Sequence, residues 1–127
     1  MVTGLRLVWL EITDLDRSVP FYREGLGLRV EETAPCRGQR TACVEAGELE
    51  LVLAESGTTG PHRGAGMRLY LVTHDLDHYA AALRSRGIET AAPTDEPWGA
   101  RVIEIVDPDG YRLCLVQSRH QMMPDEP

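Results

Sequence analysis

The sequence predicts an α+β fold made of two βαβββ modules, and three observations carry that prediction. An order of strand, helix and three strands occurs twice, offset by about 61 residues, with Asp14-Leu15-Asp16 and Asp75-Leu76-Asp77 at the same point of each copy. Period-two alternation of apolar and polar residues marks the strands, at Leu5 to Ile12 and again at Met67 to Thr73. Between the copies, Ser56 to Gly66 reads Ser-Gly-Thr-Thr-Gly-Pro-His-Arg-Gly-Ala-Gly, a flexible connector. A sheet of about four strands with one helix buries one face and leaves the other open. Two such curved mixed sheets are expected to cover each other's open faces around a ligand cleft, within one chain or across a dimer. The boundaries read as 1–55 for the first module, 56–66 for the connector, 67–118 for the second module and 119–127 for a frayed polar tail.

In the first copy, Val8, Leu10 and Ile12 make one strand face, while Leu7, Trp9 and Glu11 make the other. Thr13, Asp14 or Asp16 can cap a helix, and Pro20 is tolerated within a first turn, so a regular helix is predicted from near Asp16. Val19, Tyr22 and Leu26 share a helical face, and Gly25 and Gly27 end it. Leu28 to Glu32 resumes as a strand, 34–38 is a loop, and Arg40 to Glu45 and Glu48 to Leu53 are two strands around Ala46-Gly47. In the second copy, Tyr79, Ala82 and Leu83 give the helical face and Gly87 the cap. Ile88 to Ala91 reads as a short strand, Pro93 to Gly99 as a loop, and Arg101 to Val106 and Arg112 to Val116 as strands. Asp107-Pro108-Asp109-Gly110 is a tight turn feeding the last of these, since Pro108 presets φ and Gly110 can take a positive one.

Composition narrows the function. At 127 residues, 43% hydrophobic and 26% charged, the chain is an ordinary globular domain. A formal net charge of -7 argues against nucleic acid or an anionic membrane as partner, because both require a basic patch. The same charge mildly favours a cationic ligand. No apolar run approaches the roughly 18 residues of a membrane span, and no signal-peptide pattern is present. All 13 basic residues are arginine, as coding bias in a GC-rich genome produces. Cys36, Cys43 and Cys114 form an odd set without CxxC spacing, which suits reduced thiols and a cytoplasmic location.

The stretches Asp14-Leu15-Asp16-Arg17-Ser18-Val19-Pro20-Phe21-Tyr22, Leu26-Gly27-Leu28, Pro97-Trp98-Gly99 and Asp107-Pro108-Asp109-Gly110-Tyr111 resemble the vicinal oxygen chelate superfamily of glyoxalases, bleomycin-resistance proteins and extradiol dioxygenases. Pro97-Trp98-Gly99 is similar to a segment of the bleomycin-resistance branch. The resemblance implies the two-module fold. It does not select a chemistry, because the fold hosts lyases, epimerases, dioxygenases and drug-binding proteins.

The resemblance also implies where a metal site would lie. Metal-dependent relatives carry a histidine or carboxylate at four strand positions, which fall here at Leu7, Glu50, Arg68 and Cys114. Only Glu50 has the right chemistry: leucine cannot ligate, arginine only donates, and a thiol is soft. His62, His74, His78 and His120 have no ligand spacing, and His74 and His78 read as surface residues at a helix start. No metal and no cofactor are expected.

By strand parity the cleft is lined by Leu7, Trp9, Glu11, Cys43, Glu48, Glu50, Arg68, Tyr70, Val72, Glu104, Arg112, Cys114 and Val116, with Trp98 on a loop at its mouth. Trp9 and Tyr70 offer flat surfaces to a planar ligand, although Trp9 is equally explained by packing between modules. Three functions fit. The first is a metal-free protein that sequesters an aromatic or cationic small molecule, in the manner of bleomycin-resistance proteins. The second is a metal-independent isomerase or cyclase of secondary metabolism with Glu50 as acid or base, or with Cys114 as nucleophile. The third is a divalent-metal lyase or dioxygenase. Glu50 is equally explained as an ion-pair partner of Arg68 or Arg112. A homodimer is expected, because open faces and strand edges need cover.

Overall fold

Alternation along each strand decides which side of each sheet is buried. The computed structural model describes residues 1–57 and 64–117, in two units, Met1–Arg63 and Gly64–Pro127. Most of the connector, His62, and the tail with His120 lie outside the described residues.

The first unit runs β1 (Leu7–Ile12), α1 (Leu15–Pro20), β2 (Arg29–Cys36), β3 (Gln39–Ala46) and β4 (Leu49–Glu55). Its sheet has the order β1-β4-β3-β2, with β1 parallel to β4 and the other pairs antiparallel. Leu10, Ile12, Ala42, Val44, Leu51 and Leu53 are buried on one face, and α1 packs on β3 and β4 with Leu15 and Ser18 buried. Asp14 caps α1, its side chain accepting from the Asp16 N–H at 3.0 Å. Arg40 ties the helix start to the sheet, donating to Asp16 at 2.9 Å and to Glu32 at 2.6 Å.

Two local expectations change here. Pro20 is the last residue of α1, not part of its first turn. It has no N–H to continue the i→i−4 ladder, and the chain passes into a π-helical turn, Phe21–Gly25, in which the Leu26 N–H donates to the Phe21 carbonyl at 2.9 Å. Buried Tyr22 and Leu26 carry the apolar face through it. The predicted loop at 34–38 shrinks to a two-residue hairpin turn, because Arg37 (φ 55) and Gly38 (φ 77) both take left-handed conformations and let β2 run on to Cys36.

The second unit runs β5 (Arg68–Thr73), α2 (Leu76–Ser85), β6 (Thr94–Asp95), β7 (Arg101–Val106) and β8 (Arg112–Gln117), in the order β5-β8-β7-β6 with β5 parallel to β8. Leu76, Ala80 and Leu83 of α2 are buried, as are Ile103, Ile105, Leu113 and Leu115 on the same side of the sheet. Asp75 caps α2 by accepting from the His78 N–H at 3.1 Å. The helix closes with the Ile88 N–H on the Leu83 carbonyl and the Gly87 N–H on the Arg84 carbonyl. That closure explains why Ile88 to Ala91 is not a strand: the Ile88 N–H is spent on the cap. The pairing segment is Thr94–Asp95 instead, inside the predicted loop. In the turn before β8, Asp107 Oδ1 accepts from the N–H groups of Asp109 (2.8 Å) and Tyr111 (2.9 Å), which supports a carboxylate that is only 4% exposed. Among the described residues, no helix is long and apolar enough to cross a membrane.

The two faces of the second unit's sheet predict different sensitivities. Leu115→Ala removes a fully buried side chain and costs about 2–5 kcal/mol. Val72→Ala, on the opposite face and 59% exposed, changes stability by less than about 0.5 kcal/mol. Urea denaturation of both variants checks the assignment of the core.

Candidate functional site

Each unit leaves one sheet face without a helix, and the candidate residues stand on those two faces. The parallel strand pairs set the alignment. In the first unit Leu7 lies opposite Glu50 and Trp9 opposite Val52. In the second, Arg68 lies opposite Arg112 and Tyr70 opposite Cys114. A second marker fixes the equivalence between units. The first helical N–H of α1, at Leu15, donates to Glu55 Oε2 at 2.8 Å, and that of α2, at Leu76, donates to Gln117 Oε1 at 2.9 Å. Counting back from Glu55 and Gln117 by the same number of residues reaches Glu50 and Arg112. The counterpart of Glu50 is therefore Arg112, and Cys114 corresponds to Val52. The fourth position expected at Cys114 is displaced by one pleat from the place that Glu50 occupies.

On the first unit's open face, Leu7, Trp9, Glu11, Cys43 and Glu50 share one side, and Glu48 sits in the exposed turn before β4. The Trp9 indole N–H donates to Glu11 Oε2 at 2.7 Å, which fixes the ring. Glu50 faces Glu45 across the β3–β4 pair, and Cys43 lies one row along on the same side. Burial, then the nearby Glu50 charge, pushes the Cys43 thiol upward. Glu45 was absent from the sequence expectations, although its parity with Cys43 marks it. Arg29 lies 3.9 Å from it, so the pair of like charges at Glu45 and Glu50 is partly offset.

On the second unit's open face, Arg68, Tyr70, Val72, Arg112, Cys114, Val116 and Glu104 share one side. Cys114, Val116, Val102 and Ala100 form a buried apolar cluster. Tyr70 and Val72 stay exposed beside it, at 44% and 59%. Tyr70 and Cys114 are register partners on neighbouring strands. Desolvation raises both groups, so the thiol is held protonated and is a poor nucleophile at neutral pH. Trp98 joins Tyr70 edge to face, with ring centroids 6.1 Å apart. It is aimed there by a tight turn in which the Gly99 N–H donates to the Glu96 carbonyl (2.9 Å) and the Glu96 N–H to the Ala100 carbonyl (2.8 Å). This Trp98–Tyr70 pairing has no signature in strand parity, because Trp98 lies on a loop.

The donor chemistry at the four expected metal positions does not fit a hard divalent ion, since Glu50 is the one carboxylate among Leu7, Glu50, Arg68 and Cys114. Replacing Cys114 by its neighbour Arg112 makes the set poorer. Among the described residues, no group of three or more His, Cys, Asp or Glu is placed to hold a metal. His74 and His78 are exposed at the start of α2, apart from either face.

Comparison with known proteins gives consistent relatives. The family model for the Glyoxalase/Bleomycin resistance protein/Dioxygenase superfamily matches residues 6–115. Among solved structures, the chain is 28% identical to TnmS3, an antibiotic binding protein from Streptomyces sp. CB03234, with a TM-score of 0.77 over 93% of this chain and 98% of that one. It is 30% identical to a glyoxalase/bleomycin resistance protein from the same Streptomyces, with a TM-score of 0.72 over 90% of this chain and 100% of that one. A superfamily member from Sphaerobacter thermophilus DSM 20745, at 23% identity, shares the fold, with a TM-score of 0.74 over 92% of this chain and 98% of that one. No curated protein matches the sequence.

The three thiols should separate on labelling. Cys36 is exposed, whereas Cys43 is half-buried, Cys114 is buried, and both of these have raised pKa values. Native protein at pH 8 should give one fast-reacting thiol with a disulfide reagent, and Cys36→Ser should remove it. The remaining two should react roughly tenfold or more slowly and accelerate as pH rises, because a raised pKa shifts thiolate formation to higher pH. Equal rates for all three would contradict the site as described.

Proposed function

The chain belongs to the Glyoxalase/Bleomycin resistance protein/Dioxygenase superfamily, and on that premise we propose that it binds a planar aromatic small molecule, sequestering an antibiotic or a related metabolite. The carrying observation is the Tyr70–Trp98 pair: two large rings in contact, 44% and 51% exposed, on a sheet face that no helix covers. Edge-to-face packing leaves ring surface free for a third aromatic group. The two rings pack edge to face on each other, and a hydrogen-bonded turn holds the backbone that carries Trp98, which reduces the entropy lost on binding. Covering such a ring contributes about 1.5–3 kcal/mol. TnmS3, similar over nearly the full chain, is itself an antibiotic binding protein. Sequestration lowers free ligand by mass action and needs no catalytic group. A homodimer accompanies this function, because each sheet ends in two edge strands that need cover.

A second function, an isomerase or cyclase with Glu50 as acid or base, draws on the place of that carboxylate beside Glu45 on the open face. Glu50→Gln separates the two. Ligand affinity within about threefold of the parent fits sequestration, whereas loss of a measured turnover fits catalysis.

A thermal-shift panel of planar aromatic antibiotics tests the main proposal. A true ligand present at 100 times its Kd stabilises the protein by about 2.7 kcal/mol. Trp98→Ala and Tyr70→Ala should each weaken its binding at least about tenfold by isothermal titration. Failure of every compound in the panel to raise the melting temperature overturns the proposal.

A further inference from the structure

The strand register of the second unit's sheet sets two arginines side by side. Arg68 on β5 and Arg112 on β8 are partners in a parallel pair and point away from α2. Like charges directly opposite destabilise a strand pair, so each cation is better accommodated beside an anion. Arg68 has one, with Nε 3.7 Å from Glu104 Oε1. Arg112 has no ion-pair partner among the described residues, and its neighbour on β7 is the uncharged Val106. The next row along the same two strands is Tyr70 and Cys114, where Trp98 meets Tyr70. Two residues of strand separate the rows, about 6.6 Å. A fused aromatic ring with one acidic substituent spans that distance.

We infer that the ligand of the Tyr70–Trp98 face is an aromatic acid, its anionic group received by Arg112. The inference rests on the aromatic site proposed above and adds the charge of its ligand. A guanidinium suits the role: it presents two parallel N–H donors to a carboxylate, and it gives up its own hydration more readily than an ammonium. The net charge of -7 points the other way, toward a cation. Distance decides between them. Screening confines the summed field of remote carboxylates to about 10 Å at 0.1 M salt, whereas the Arg112 contact is direct. Of the nearer carboxylates, Glu104 is paired with Arg68. Glu96 acts on the Tyr70 and Cys114 row, where the neutral ring would lie.

Isothermal titration of the full chain with 2-naphthoate and 2-naphthamide, alike in shape and different in charge, tests this. The acid should bind at least about tenfold more tightly than the amide. Arg112→Gln should bring the ratio of the two affinities to within about twofold, and Arg112→Lys should retain part of the preference. Amide binding by Arg112→Gln reports that the variant is folded. Trp98→Ala should weaken both compounds. Equal binding of acid and amide by the parent chain, or an unchanged ratio in Arg112→Gln, overturns the anion and leaves the aromatic site standing. Failure of both compounds to bind, or indifference of both to Trp98→Ala, overturns the aromatic site together with it.

Discussion

Everything at the two candidate faces depends on the parallel pairing of the first and last strand of each unit. That pairing brings Leu7 beside Glu50 and Arg68 beside Arg112, residues separated by more than forty positions in the chain. It is held at one end by a side chain from the last strand, Glu55 or Gln117, which accepts the first free N–H of the helix that follows the first strand. One contact therefore satisfies a helix start and pins a strand register at once. A slip by one residue would turn Leu51 and Leu53, or Leu113 and Leu115, out of the core, at a cost of several kilocalories per mole.

Such a constraint explains what was legible in the sequence and what was not. Strand parity is a local property, so Leu7, Trp9, Glu11, Cys43 and Glu50 could be assigned to one face, and Arg68, Tyr70, Glu104, Arg112 and Cys114 to another, before any register was known. Asp14 was one of three cap candidates the sequence offered, since a cap is made within a few residues, and Asp75 rather than a neighbouring histidine takes that role in the second unit. Register is not local. Nothing in the β8 sequence says that its turn from Asp107 delivers Arg112, rather than Cys114, to the place that Glu50 takes in the first unit.

The remaining differences arise where several local signals compete. Pro20 was read as belonging to a first turn, but the Asp14 cap starts the helix early enough that Pro20 falls at its end and diverts it into a π-helical turn. Ile88 to Ala91 has strand composition, yet its first N–H closes the preceding helix. Trp98 was placed on a loop, but its partner was not, because the sequence gives no rule for where a loop of this kind folds back. The aromatic pair that carries the functional proposal is thus the part of the site that only three-dimensional structure reveals.

The internal duplication also bears on chemistry. The two units share their framework groups: aspartate caps, leucines on the helix side, and an acceptor at the end of the last strand. They differ at the equivalent positions on the open faces, where Glu50 in one unit answers to Arg112 in the other and Leu7 answers to Arg68. A hard divalent ion needs several oxygen or imidazole donors converging on one point. A leucine, one carboxylate and two guanidinium groups cannot supply them, and substituting the Cys114 thiol for one arginine adds only a soft donor. What these faces do provide is aromatic and aliphatic surface with charged groups beside it. In the binding function proposed above, that combination would be used to select a ligand by shape and by charge.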